Sequence, residues 1–189
     1  MTNKAGQPKE VEVYQLRIVL SGIKPPIWRT IQAENNTTLP ELHHIIQAVM
    51  GWQNCHLHSF LIRGVEYAES HPDMEGDVRS ETHKRLRDIV SATGEEFKYL
   101  YDFGDSWEHK ITLEKALPVD KEKRYPVCLE GQRACPPEDC GGIWGYEDFL
   151  KAIGDENHEE HDEMLAWVGG EFDPEKFDVA AVNKELKAG

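Results

Sequence analysis

One well-signalled amphipathic helix, set between groups of alternating strands, is the feature that most restricts how this chain can fold. Thr38 and Glu41 form a Thr-x-x-Glu capping box, Pro40 suits a first helical turn, and Gly51 suits a helix end. Between these signals the apolar residues recur at helical spacing: Leu42, Ile45, Ile46, Val49 and Met50. The pattern predicts one long helix over about residues 38–50, with one face packed on a sheet.

Period-two alternation before and after this helix predicts strands, because successive side chains of a strand point to opposite faces. These strands are expected over residues 11–20, 27–33, 57–62, 97–101 and 107–113. The last two flank the tip Asp102-Phe103-Gly104-Asp105 and suggest a hairpin. The order strand, strand, helix, strands indicates an α+β fold with a β-grasp-like mixed or antiparallel sheet.

The chain is predicted to be a single domain over residues 1–189, with a core sheet at about 11–117 and a helical C-terminal tail at 146–187. Between them, a cysteine loop at 125–145 is rich in proline and glycine, which predicts fixed turns rather than helix or strand. In the tail, Asp173 before Pro174 is the expected N-cap of the last helix.

Composition and charge exclude several classes of function. The net charge of −14 lies mostly after residue 100 and disfavours non-specific nucleic-acid binding, which requires lysine and arginine against phosphate. No apolar run approaches the ~20 residues of a membrane span. Met1–Glu10 has no apolar leader segment, so we expect a cytoplasmic protein with reduced thiols. We also expect a protein partner, which the sequence does not identify.

Three clustered cysteines suggest a structural zinc site. Cys128, Cys135 and Cys140 could supply three of the four ligands that tetrahedral zinc requires. His109 is the first choice for the fourth, because its hairpin leads into the cysteine loop, and the other options are His56, His58 and Cys55. The alternative interpretation is that the cysteines are small buried apolar residues.

A second candidate cluster surrounds the hairpin tip. Asp102 and Asp105, with His109 nearby and Glu138 and Asp139 brought in from the cysteine loop, could bind a hard cation or act as acid and base. The alternative is ordinary turn chemistry, in which aspartates accept hydrogen bonds from nearby backbone amides.

His56 and His58 alternate along a predicted strand, so they share a face and could reach one ion. The alternative is that each is a half-buried strand residue with one hydrogen bond. We expect the cysteine loop and the hairpin tip to meet in space and to form one site.

The motifs resemble one known family. They are Ile23-x-Pro25-Pro26-Ile27-Trp28-Arg29, His56-Leu57-His58-x-Phe60, Tyr101-Asp102-Phe103-Gly104-Asp105-x-Trp107-x-His109 and Cys135-Pro136-Pro137-Glu138-Asp139-Cys140-Gly141-Gly142. Over residues 11–187 the chain is similar to the plasmid pRiA4b open-reading-frame-three-like family, whose members travel in insertion elements and sometimes carry a resolvase label.

The resemblance implies a fold and a link to plasmids and mobile elements. This chain has no recognisable helix-turn-helix, basic arm or resolvase-type serine centre, so no catalytic residue is carried over. The sequence therefore predicts a binding or interaction module with a structural zinc rather than an enzyme. Two alternatives stay open, a metal-dependent hydrolase or nuclease at the Asp102, Asp105 and His109 cluster, and a DNA-binding accessory of transposition.

Overall fold

A computed structural model of the chain describes residues 10–69 and 78–188, so the expectation about a leader in Met1–Glu10 falls almost wholly outside it. The strands are β1 (Glu12–Leu20), β2 (Trp28–Glu34), β3 (His58–Ile62), β4 (Val65–Ala68), β5 (Arg79–Ser80), β6 (Glu96–Tyr101), β7 (Trp107–Pro118) and β8 (Val127–Gln132). They form one sheet in the order β5-β4-β3-β6-β7-β1-β2-β8. Only β4 and β5 pair in parallel among these strands, so the sheet is mixed.

The helices complete an α+β fold, as the sequence predicts. They are α1 (Leu39–Met50), α2 (Leu86–Ile89), α3 (Gly142–Gly154), α4 (His161–Val168) and α5 (Val179–Glu185). In α1 the expected capping box is present, with the Glu41 carboxylate accepting the Thr38 N–H at 2.7 Å. The helix ends at Gly51, whose φ of 91° is left-handed. Among the described residues, every helix is too short or too polar to cross a bilayer.

The predicted cysteine loop contains a strand, which corrects the expectation of turns throughout 125–145. Strand β8 pairs antiparallel with the free edge of β2, and Cys128 lies opposite Ile31. Pro126 precedes the strand, and Pro136 and Pro137 follow it, so they do not interrupt this pairing. Edge pairing across the sheet therefore decides the structure of residues 127–132, and local glycine and proline content does not.

The last helix also begins later than its predicted cap. Asp178 is the N-cap of α5, and its carboxylate accepts the N–H groups of Ala180 and Ala181. Asp173 instead accepts the N–H of Glu175 within a turn. Both aspartates could cap a helix. The helix begins at the second, Asp178, which lets Asn183 exchange two hydrogen bonds with the backbone of Cys128 in β8.

One buried arginine joins three parts of the fold. The Arg29 side chain donates to the carbonyls of Val49, at the end of α1, and of Gln132 and Arg133, at the end of β8, at 2.7 to 2.9 Å. It also bonds its neighbour's carbonyl, and its guanidinium lies 4.1 Å from the Phe177 ring centroid. Since Arg29 is only 2% exposed, carbonyl oxygens rather than a carboxylate balance this charge.

A second buried network begins at His43, whose place off the apolar stripe of α1 predicts a solvated side chain. The structure instead buries it, and each ring nitrogen has a partner at 2.7 Å. Tyr99 receives a hydrogen bond from Gln47, so its hydroxyl donates to Nδ1, and Nε2–H donates to the side-chain oxygen of Asn54. Burial lowers the pKa of His43 to about 3.

Replacing Arg29 is expected to lower the free energy of unfolding of the protein substantially. Arg29→Met leaves the carbonyls of Val49, Gln132 and Arg133 without donors, at a cost of about 3 kcal/mol or more in the free energy of unfolding. Urea denaturation measures this loss. Arg17→Met is the matched control, because Arg17 is half-buried and stacks on Trp28 at the surface. Equal losses in the two variants would contradict a central role for Arg29.

The low pKa of His43 makes the fold sensitive to acid. The unfolded chain takes up this proton near pH 6.5 and the folded chain near pH 3, so the unfolding free energy falls as pH drops through this window. Each such group adds a slope of up to about 1.4 kcal/mol per pH unit. His43→Gln should flatten the slope measured by urea denaturation from pH 7 to 4. His83→Gln, at an exposed position outside this network, should leave the slope unchanged.

Candidate metal centre

The segment after α1 presents His56 next to the sheet. Asn54 has a left-handed φ of 55°, and its N–H donates to the side chain of Gln47 while its side chain accepts from His43. The N–H of Cys55 then donates to the hydroxyl of Tyr101 on β6, at 3.0 Å. The network buried under α1 therefore sets the position from which the His56 ring reaches the site.

The predicted β6–β7 hairpin presents Asp102, which has a φ of 55°. One carboxylate oxygen, Oδ1, accepts the N–H of Gly104 at 2.9 Å, as the interpretation of Asp102 as a turn former expects. The other oxygen, Oδ2, lies 3.7 Å from Nε2 of His56. Asp102 thus shapes the turn and also offers an oxygen to the site, although only 9% of its side chain is exposed.

Glu138 and Asp139 come from the turn between β8 and α3. Glu138 Oε1 accepts hydrogen bonds from the hydroxyl of Tyr101 and from the N–H of Gln53, which orients its carboxylate. Its other oxygen, Oε2, is buried and has no hydrogen-bond partner. Asp139 has a φ of 58° and a side chain that is 70% exposed, so it forms the open side of the site.

Ligand atoms of His56, Asp102 and Asp139 converge on one point, and Glu138 lies beside them. Nε2 of His56 lies 3.0 Å from Asp139, 3.7 Å from Asp102 and 3.9 Å from Glu138. One ligand atom from each of His56, Asp102 and Asp139 lies within 4.8 Å of the others. Two ligands that hold one ion at about 2.1 Å are about 3–4 Å apart, so these separations suit a shared cation.

The hydrogen-bond geometry is also consistent with a cation bound between these side chains. Among the described residues, Nε2 of His56 has no hydrogen-bond partner although three carboxylates lie within ion-pair distance of it, and Oε2 of Glu138 has none either. Three carboxylates around one imidazole leave the cluster negatively charged even when His56 is protonated. A divalent cation would satisfy the unpartnered atoms and offset the repulsion between the carboxylates.

The cysteine loop and the hairpin tip meet, as the sequence predicts. The carboxylate of Asp105 accepts the N–H of Gly141 at 3.0 Å. Gly142 packs so closely on Asp105 that a Cβ would lie 2.7 Å from the Asp105 carbonyl oxygen. Asp105 therefore ties the two stretches together from outside the cluster, which it was predicted to join as a ligand.

The predicted zinc ligands do not assemble. Among the described residues, no three of Cys128, Cys135, Cys140 and His109 bring their ligand atoms within 4.8 Å of one another. Cys128 lies in β8, where its thiol donates to the carbonyl of Glu130. Burial raises the pKa of Cys128 to about 11 and that of Cys140 to about 12, and it raises the pKa of Cys135 further. The alternative interpretation, buried thiols in a packed segment, describes Cys128 well, and Cys135 packs partly buried against the core.

The two other candidate histidines lie apart from the cluster. His109 is fully buried beside the edge of Trp52, and burial lowers its pKa to about 4. His58 contacts both oxygens of the buried Glu81 at 3.2 Å and stacks on His43 with ring centroids 3.6 Å apart. His56 and His58 therefore point to different partners and do not share an ion. The exposed Cys55 donates its backbone N–H to Tyr101 and its thiol to the carbonyl of Gln53.

Sequence reasoning missed two residues that orient the cluster. Tyr101 alternates with its neighbours like any core residue of a strand, so nothing in the sequence marks its hydroxyl as the link between Cys55 and Glu138. Gln53 acts through its backbone N–H, which every residue except proline has. Only the fold reveals both roles.

Comparisons with known proteins agree with this architecture. The chain is 37% identical over 178 residues to "Uncharacterized protein y4hQ" of Sinorhizobium fredii, which covers 92% of this chain and 90% of that protein. A crystal structure described as "Protein of Unknown Function MM3350" from Methanosarcina mazei Go1 is 40% identical, with a TM-score of 0.83. That match covers 90% of this chain and 97% of the other.

A family profile described as "Plasmid pRiA4b ORF-3-like protein" matches residues 12–181, which include every strand and nearly all of the helical tail. The matched region therefore also includes all four residues of the cluster. On this match and the two relatives, the chain belongs to the plasmid pRiA4b ORF-3-like family.

Proposed function

We propose that this protein binds a divalent metal ion through His56, Asp102 and Asp139, with Glu138 beside them, and that the ion activates water for hydrolysis. The convergence of three carboxylates on the unpartnered Nε2 of His56, at 3.0 to 3.9 Å, is the observation that carries this proposal. A mixed set of one imidazole and two carboxylates suits borderline ions such as Mn²⁺ or Zn²⁺ and leaves a position free for water.

The openness of the cluster supports a catalytic rather than a structural ion. Structural zinc sites are closed by four protein ligands, whereas catalytic sites keep a position for water or substrate. Asp139 is 70% exposed at its side chain, so an open coordination position would face solvent on that side. A bound ion would act there as a Lewis acid and lower the pKa of a coordinated water.

The structural zinc module predicted from the sequence receives less support, because its thiols are dispersed and their pKa values are raised. The net charge of −14 also disfavours a nuclease or a DNA-binding accessory, since phosphate would meet repulsion except at the ion itself. A small or neutral substrate fits the charge of the chain better.

Metal titration tests the proposal directly. Protein stripped with a chelator and desalted should bind one Mn²⁺ or Zn²⁺ per chain in calorimetry. His56→Ala and Asp102→Asn should each weaken binding by at least about 100-fold, because each removes a direct ligand and second-shell losses alone reach that range. The matched controls are His44→Ala and Asp120→Asn, two exposed positions outside the cluster. Binding that survives both cluster substitutions would reject the site.

Tyr101 is expected to position His56, through the neighbouring Cys55, and Glu138 beside the cluster, without touching the ion. Tyr101→Phe removes the hydroxyl that accepts from Cys55 and donates to Glu138, so metal affinity should fall by about 10- to 100-fold. Tyr146→Phe is the control, because the buried Tyr146 hydroxyl has no partner to lose. Calorimetry measures both affinities, and urea denaturation of the metal-free variants checks that each is folded. An unchanged affinity in Tyr101→Phe would contradict the positioning role.

A further inference from the structure

Glu138 stands apart from the three residues that form the proposed metal site. The ligand atoms of His56, Asp102 and Asp139 lie within 4.8 Å of one another, and Glu138 is not a member of that group. Its Oε2 nevertheless lies 3.9 Å from Nε2 of His56. Glu138 is therefore close enough to contact a molecule bound on the ion without being placed as one of its ligands.

The two carboxylate oxygens of Glu138 have different surroundings. Oε1 accepts the N–H of Gln53 at 2.8 Å and the hydroxyl of Tyr101 at 3.1 Å, and these bonds orient the carboxylate. Oε2 is buried and has no hydrogen-bond partner in the part of the chain that the structure describes. Because a buried acceptor without a donor is costly, Oε2 is an acceptor whose donor is still to be supplied.

A water on the ion would supply this donor. Two ligands that hold one ion at about 2.1 Å are about 3–4 Å apart, so such a water would lie at that distance from Nε2 of His56. Oε2 of Glu138 lies 3.9 Å from the same nitrogen. The water can therefore lie within the roughly 2.7 Å of an O–H···O hydrogen bond to Oε2 while it remains on the ion.

We infer that Glu138 is the general base of the proposed hydrolysis and acts through Oε2. The inference rests on the proposed metal centre. An O–H bond of the water breaks and its proton passes to Oε2, while an electron pair of the water oxygen forms the new bond to the electrophilic atom of the substrate. The bond to the leaving group then breaks, and the proton on Oε2 passes to that group, which restores the carboxylate.

Glu138→Gln tests this role because it keeps the shape of the side chain. Its amide oxygen would keep the hydrogen bonds from Tyr101 and Gln53, so the amide NH₂ would take the place of Oε2. An amide NH₂ is a donor only, and it neither accepts a proton nor binds a cation. Glu122→Gln, at an exposed position outside the cluster, is the matched control.

Calorimetry with Zn²⁺ separates a base from a ligand. Glu138 forms no hydrogen bond with the three ligands among the described residues, so chelator-stripped Glu138→Gln should bind Zn²⁺ within about tenfold of the unchanged protein, against at least about 100-fold for a lost ligand. A loss in Glu138→Gln as large as that in His56→Ala would make Glu138 a ligand and overturn the inference.

Two small ligands of the Zn²⁺-loaded protein then test proton acceptance. Acetohydroxamic acid binds a metal as an anion and must first give up a proton, as the water does, whereas azide is already an anion. Glu138→Gln should weaken the binding of acetohydroxamic acid by at least about tenfold, the worth of one hydrogen bond to a charged group. It should leave azide binding equal or tighter, and Glu122→Gln should change neither affinity.

The outcomes distinguish this inference from the proposal on which it rests. If the unchanged protein binds no Zn²⁺, the metal centre is wrong and the general base falls with it. If Zn²⁺ binds but Glu138→Gln keeps its affinity for acetohydroxamic acid, Glu138 is not the base while the metal centre stands. Equal losses for both small ligands, or no binding of either to the loaded protein, overturn the base as well, since Glu138 would then only shape the site or the ion would have no open position.

Discussion

The charge of Arg29, buried on backbone carbonyls, is the constraint on which the candidate site depends. A helix leaves its last carbonyls without intrahelical partners, and its C-terminal end is favourable for a cation. Arg29 occupies that position at the end of α1, through Val49, and also bonds the carbonyls of Gln132 and Arg133. The segment after α1 carries His56, and the segment after Arg133 carries Glu138 and Asp139. One side chain thus fixes where both halves of the cluster begin.

Two tyrosines on β6 continue this arrangement from the sheet side. Tyr99 is the centre of the network that holds Asn54 through His43 and Gln47, and Tyr101 bonds Cys55 and Glu138. Each hydroxyl forms hydrogen bonds with groups on segments far apart in sequence. These bonds supply the partners that buried polar groups need. The geometry of the cluster is therefore set by the sheet, whose strands are rigid, although Asp102, Glu138 and Asp139 lie in turns.

Local signals predicted the elements that depend on local physics. The capping box of Thr38 and Glu41 is present, and the alternation that predicts the strands around Asp102 is confirmed by the register of β6 and β7. Strand β8 was missed because its stability comes from the free edge of β2, one hundred residues away in sequence. The burial of His43 was missed for the same reason, since its partner Tyr99 lies across the fold. All four residues of the cluster could be named as candidates from the sequence, but only the three-dimensional structure shows that these four lie together.

Burial decides between the two sets of ligands that the sequence offers. Thiols bind metal as thiolates, and a pKa raised to about 11 or 12 by burial adds the cost of deprotonation to that of assembling the ligands. Carboxylate oxygens are hard ligands, and here each of Asp102 and Glu138 uses one oxygen to hold its turn or loop while the other faces His56. The same protein environment that keeps the cysteines protonated therefore favours the oxygen-rich cluster as the place where a cation binds.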